Sequence, residues 1–261
     1  MQSMLGNCFQ LVEDDLNCGL LVVFSGTPCQ VYSLITFLRN RKVDFSKLVT
    51  VDIICHGTPS PKVWNDFKSF IQEKVGASLV KVNFRYQKAK WKEYPVRAEF
   101  SNGRVFINSH LIRLYTILFM SGRIMRPCCY NCKFANTDRV SDLTIGDFWG
   151  IEECIPDFPF IRDVSEIIVN TKNGQQIIDG IKKMASCDED IYMEKCMNSK
   201  FIQYQHNLRR PTSRPVDTDV FWADYQKYGF EFAVKKYADY SCRGKIKHII
   251  KKMLAGLGLR K

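Results

Sequence analysis

Apolar residues in the N-terminal third of the chain follow two rhythms, and their alternation predicts a small parallel sheet. Phe9, Leu11, Val12 and Leu16 recur at helical spacing, which predicts a helix over residues 6–16 that Gly19 ends. Residues 20–25 form a short continuous apolar run instead, as expected of a strand buried on both faces. Gly26-Thr27-Pro28 turns the chain, and Pro28 suits a first helical turn, where its missing N–H costs nothing. Val31, Leu34, Ile35 and Leu38 then mark a helix over 29–40, and 48–55 reads as a second buried strand. Strand, helix and strand within so short a stretch predict a right-handed βαβ unit.

The rhythm changes after His56-Gly57-Thr58-Pro59. Val63, Phe67, Phe70 and Ile71 predict a helix over 61–75. Residues 79–86, 96–100 and 105–108 read as antiparallel strands, with Asn102-Gly103 as a hairpin turn. A helix is expected over 111–120, strands over 141–145 and 165–171, and a further helix over 174–184. Beyond residue 198 the chain reads as peripheral, with a Pro-containing linker at 209–215 and helices at 220–228 and 230–237. The expected fold class is therefore α/β: a small, mostly parallel βαβ core with an antiparallel hairpin insertion and peripheral C-terminal helices. The expected division is a main domain over 1–197 and a helical extension over 198–261.

Composition narrows the function. A hydrophobic fraction of 46% suits a globular protein, and no apolar run approaches the ~20 residues of a membrane-spanning helix. The N-terminus lacks the basic and apolar regions of a signal peptide, so a cytoplasmic location is expected. Eleven cysteines, an odd count, then argue for metal or redox chemistry rather than a disulfide framework.

The net charge of +11 lies mostly in residues 235–261, where Lys and Arg outnumber the single acid Asp239 nine to one. The body is close to neutral, so no nucleic-acid groove is implied. From Lys245 to Lys261, Ile246, Ile249, Ile250, Met253, Leu254 and Leu257 share one helical face, with Lys247, Lys251 and Lys252 toward the other. Such a helix either makes a peripheral contact with an anionic membrane or packs on the body with its lysines solvated.

Cys129-Tyr130-Asn131-Cys132 is a C-x-x-C, compatible with a dithiol, half a zinc site or half an iron–sulfur site. Cys29 opens a helix beyond one predicted strand, and Cys55 ends the next. Parallel strands carry both to the same sheet edge, the edge where α/β folds bind ligands. With Cys129 and Cys132 they make four thiolates, the usual set for a [4Fe–4S] cluster, and their sulfurs are then expected to converge on one pocket. On the other reading, Cys29 and Cys55 are core residues. Cys128 reads as a bystander, and Cys8, Cys18, Cys154, Cys187, Cys196 and Cys242 show no ligand spacing and read as inert thiols. The stretches 25–30 and 146–150 hold glycines, either as tight turns or where backbone approaches a cofactor.

Three strings carry a family resemblance: Phe24-Ser25-Gly26-Thr27-Pro28-Cys29-Gln30, then Asp52-Ile53-Ile54-Cys55-His56-Gly57-Thr58-Pro59, and Arg126-Pro127-Cys128-Cys129-Tyr130-Asn131-Cys132 running on to Gly146-Asp147-Phe148-Trp149-Gly150. Together they resemble the C-terminal domain of the coenzyme F420 hydrogenase/dehydrogenase beta-subunit family over roughly residues 1–185. The resemblance implies an iron–sulfur flavoprotein, with Cys29, Cys55, Cys129 and Cys132 as cluster ligands and FAD between cluster and substrate. Ser25, Gly26, Thr27, Gln30, His56, Gly146 and Asp147 are the expected cofactor-binding residues. Relatives often accompany surface-polysaccharide genes, which suggests that setting for an oxidoreductase module. Full-length relatives carry a preceding ferredoxin-like segment, so a redox partner or subunit is expected to supply it. Apolar sheet surface near the cysteines is expected to lie exposed. The alternative function is a zinc-stabilised or cofactor-free accessory subunit.

Overall fold

The computed structural model describes residues 4–86, 95–159, 164–185 and 192–240; the basic tail, Cys187 and Cys242 lie outside them. In chain order the elements are α1 (Cys8–Asn17), β1 (Val22–Gly26), α2 (Pro28–Asn40), β2 (Leu48–Ile53), α3 (Pro61–Val75), β3 (Leu79–Asn83), β4 (Arg97–Phe100), β5 (Val105–Ile107) and α4 (His110–Met120). A 3-10 turn over Pro127–Asn131 follows, then β6 (Leu143–Asp147), α5 (Ile151–Cys154), β7 (Ser165–Val169), α6 (Lys172–Ala185), α7 (Phe201–Tyr204) and α8 (Thr218–Tyr237). The α/β expectation holds, and the two helices expected near the C-terminus are the halves of α8, kinked at Gly229. The sequence pattern did not signal α5, α7 or the 3-10 turn, which are too short to show a periodicity.

Two compact units form. The sheet unit comprises Ser3–His56 and Asn131–Pro211. Its four strands run in the order β1-β2-β6-β7, parallel except for β7, which is antiparallel to β6. On one face Phe24 and Leu48 pack with Val12, Leu16, Val31, Leu34 and Leu38, so α1 and α2 bury that side. Side chains alternate between faces, and the register Ile53↔Ile145↔Ile167 aligns three isoleucines on the other side. That row is exposed, at 40%, 37% and 41%, beside the even more open Val23. The expected exposed apolar surface is therefore present, two residues from Cys55.

The other unit holds the described parts of Gly57–Tyr130 and residues 212–240. Here β3, β4 and β5 form the expected antiparallel sheet. Phe67, Ile71, Leu114, Leu118, Phe221 and Val234 are almost wholly buried, so α8 contributes to this core directly. Aromatic rings dominate it: Trp64 meets Tyr115 edge-on at 5.2 Å, and Phe70 meets Phe230 at 5.4 Å.

Candidate functional site

Cys29 and Cys55 owe their positions to strand register. Gly26 pairs with Asp52 across β1 and β2, and each cysteine lies three residues beyond its strand's member of that pair. Both therefore leave the sheet at its C-terminal edge. Beyond Gly26 the chain enters α2 at once, because Thr27 takes extended backbone as N-cap and Pro28 supplies the first helical residue. The Gln30 carboxamide reaches back to accept the Thr27 N–H at 2.9 Å, the return half of a capping box. Cys29 thus stands in the first turn of a 13-residue helix, exposed, with its Sγ 3.1 Å from Thr27 Oγ1.

Cys132 reaches the same edge by a different route. Two residues on, the Phe134 ring packs on Tyr32 of α2 at 5.4 Å, one helical turn from Cys29. Arg139 holds the rest of the segment. Its Nη1 donates to the Phe134 carbonyl at 2.6 Å, while Nη2 donates to Asp52 Oδ1 at 2.8 Å and to the Ile53 carbonyl at 3.1 Å. The Arg139 and Asp52 side chains are 1% and 0% exposed, so one buried ion pair fastens the Cys132 segment to the end of β2.

The pair is part of a wider polar network. Arg139 Nε donates to Thr144 Oγ1, which also receives a hydrogen bond from Asn170 Nδ2, and Asp142 Oδ2 accepts from both the N–H and the hydroxyl of Thr50. Sequence reasoning gave none of these residues a role. The signal was present: Asp52 interrupts an apolar strand, where a charge is buried only if paired.

Cys129 lies in the helical unit, in the 3-10 turn. Its Sγ accepts the Thr58 N–H at 3.4 Å, and Thr58 returns its carbonyl to the Arg126 N–H at 2.9 Å. Gly57 sits beside this contact at φ +128°, where a side chain would press on Met125 Sδ and Cys129 Cβ. Only glycine suits that backbone and that approach.

The remaining candidates divide. Gly26 and Gly146 stand at the same sheet edge as Cys29 and Cys55, but the space beside each is already filled, by Gln30 and by Ile54 respectively. Ser25 is exposed at the end of β1 and His56 is half-buried just after Cys55. Asp147 ends β6, and its carbonyl accepts from Gln205 Nε2 at 2.7 Å. Gln205 also donates to Glu166 of β7, a carboxyl that burial pushes up to about 7 against that hydrogen bond. Glu166 drew no attention as a lone acid in an apolar strand.

The donor set suits a thiolate-held cluster. None of the four cysteines is in a disulfide; Cys29 is exposed and the others are partly so. Among the described residues no three His, Cys, Asp or Glu side chains gather where they could hold a metal ion. The strand register places Cys29 and Cys55 at one sheet edge, and Arg139 ties the segment after Cys132 to the end of β2.

The family model for the C terminus of the coenzyme F420 hydrogenase/dehydrogenase beta subunit matches residues 20–194, which include all four cysteines and the whole four-stranded sheet. The chain belongs to this family. As a coenzyme F420 hydrogenase/dehydrogenase beta-subunit homologue it stands among redox-enzyme subunits, and the matched span covers the complete sheet edge described above. No curated protein matches the sequence significantly. No helix among the described residues is long and apolar enough to cross a membrane.

Proposed function

We propose that this chain is an electron-transfer module of an oxidoreductase, in which Cys29, Cys55, Cys129 and Cys132 hold one [4Fe–4S] cluster. The observation that carries the reading is the Gly26–Asp52 register, which sends Cys29 and Cys55 out of the same edge of adjacent parallel strands. The Arg139–Asp52 pair adds the Cys132 segment to that edge, and Cys129 follows from its place three residues earlier in the chain. When bound, the cluster supplies one-electron storage; the protein's part is to hold and tune it. The Thr58 N–H places a hydrogen-bond donor on Cys129 Sγ, which favours the more reduced, more negative state.

FAD is the proposed second carrier, bordered by residues 25–30 and 146–150 with His56 and Asp147 at the rim. A second polypeptide is the proposed electron donor or acceptor. The exposed row of Ile53, Ile145 and Ile167 supports that partner, since contiguous open apolar surface marks interaction sites. A role in surface-polysaccharide biosynthesis is the proposed setting, and the 245–261 tail is a proposed peripheral membrane contact.

The test is anaerobic purification followed by a visible spectrum. A broad thiolate-to-iron shoulder that bleaches with dithionite is expected, and resolved flavin bands would add FAD. A colourless protein after anaerobic reconstitution with iron and sulfide would overturn the cluster reading.

A further inference from the structure

Two cysteines that the spacing left as inert thiols are brought together by the fold. Cys154 ends α5, and Cys196 lies 42 residues further on in the irregular stretch before α7. Both side chains belong to one small apolar cluster with Phe148 and Ile151. Several contacts hold them there. Tyr192 meets Phe158 edge-on at 5.1 Å, and Phe201 and Tyr204 pack on the same cluster. The Tyr204 ring lies against Gly150, whose φ of +76° and crowded Cα leave no room for a side chain. The two cysteines, far apart in the chain, therefore share one packed cluster.

We propose that Cys154 and Cys196 form a reversible dithiol–disulfide pair, a redox-modification site separate from Cys29, Cys55, Cys129 and Cys132. The two sulfurs have distinct roles. Cys154 is almost fully buried, and burial pushes its thiol up, with Cys196, Glu153 and Glu166 adding to the effect. It therefore stays protonated. Cys196 is half-exposed and its thiol donates to the Asn198 carbonyl at 3.4 Å, so it is the sulfur an oxidant reaches.

With hydrogen peroxide, Cys196 sulfur attacks the O–O bond. One oxygen stays on sulfur as a sulfenic acid and the other leaves as water. The Cys154 sulfur then attacks the sulfenic sulfur; the S–S bond forms, the S–O bond breaks, and the second water carries away the Cys154 proton. Two thiols lose two electrons and one peroxide is reduced to two waters. A small disulfide such as oxidised glutathione reaches the same product by thiol exchange and leaves as two thiols. The new bond joins the segment before α7 to α5, directly after the 146–150 loop.

The experiment treats the full chain, purified anaerobically, with hydrogen peroxide or oxidised glutathione, blocks remaining thiols with N-ethylmaleimide, and maps peptides without reduction. A Cys154–Cys196 linked peptide is expected. It should disappear on adding dithiothreitol and be lost completely in Cys196→Ser. In Cys154→Ala, dimedone should trap a sulfenic acid on Cys196. The wild-type map decides the matter even if neither variant folds. If wild-type protein that circular dichroism shows to be folded carries both residues as maleimide adducts or separate glutathione adducts, after oxidant has modified the exposed Cys18, the proposal is overturned.

Discussion

The sheet unit and the helical unit solve the problem of burying a core in opposite ways. The helical unit is filled with rings and branched chains: Phe67, Tyr115, Phe221 and Phe230 belong to one cluster, and its polar contacts lie mostly at the margin. The sheet unit buries Asp52, Thr50, Ser141, Thr144 and Glu166 behind its strands while leaving valines and isoleucines open to solvent. A stability-driven design would exchange those two sets. The difference assigns the roles. Apolar packing tolerates small shifts, whereas the Arg139 fork fixes which backbone carbonyl and which carboxylate it meets, and so fixes where the cysteine segments lie.

The largest effects should come from breaking each core at its own anchor. Arg139→Ala leaves the Asp52 charge buried with no counter-ion and should cost about 3–5 kcal/mol. Phe67→Ala removes a ring that is 1% exposed and should cost about the same. The comparison is sharpened by cluster content: per folded chain after reconstitution, it should fall sharply in Arg139→Ala and stay at the wild-type level in Phe67→Ala. Denaturant titration beside iron analysis checks both. Equal iron in the two variants would remove the distinction drawn between the cores.

A smaller effect is expected at Glu166. Its folded-state pKa of about 7 is raised above the ordinary carboxylate value by burial, so folding favours the protonated form. Its contribution is greatest below pH ~4.5, declines as pH rises toward 7, and is absent above that. Glu166→Gln keeps an acceptor for Gln205 and removes the titration. It should leave stability nearly unchanged at pH 4.5 and raise it by an amount on the order of 2–3 kcal/mol at pH 8. Denaturant midpoints at the two pH values measure this; a gain equal at both would show that Glu166 does not titrate with folding.

The smallest effect is local. Thr27→Ala removes the N-cap hydroxyl of α2 and should cost about 1 kcal/mol. That hydroxyl lies 3.1 Å from Cys29 Sγ, so the midpoint potential of the reconstituted protein should move while its iron content does not. A potential identical to wild type would place Thr27 outside the ligand environment.

How far the sequence carried this picture differs between the same two regions. Helix α3 lies over the very residues its apolar spacing marked, and β1, β2 and α2 fall within two residues of their expected bounds, because the runs are long and Gly19, Pro28 and Pro61 punctuate them. The shared edge of Cys29 and Cys55 was also legible, since the two strands of a βαβ unit run parallel. The Arg139 network was not. It joins residues 87 apart, and a buried arginine on a loop has no periodicity to announce it. The meeting of Cys154 and Cys196 in one cluster was hidden for the same reason, since 42 residues separate them. The packing of α8 into the helical core was not legible either, because its apolar positions are spread around the helix on both sides of the Gly229 kink.

The central claim is that four named cysteines bind one cluster, and the most direct measurement is iron and acid-labile sulfide per chain after anaerobic reconstitution. Wild type and Cys18→Ser, an exposed cysteine outside the proposed set, should each hold ~4 iron and ~4 sulfide, whereas Cys29→Ser, Cys55→Ser, Cys129→Ser and Cys132→Ser should each hold markedly less. Wild-type content in any of those four folded variants would contradict the ligand assignment for that residue, and a wild-type protein with neither iron nor sulfide would contradict the account as a whole.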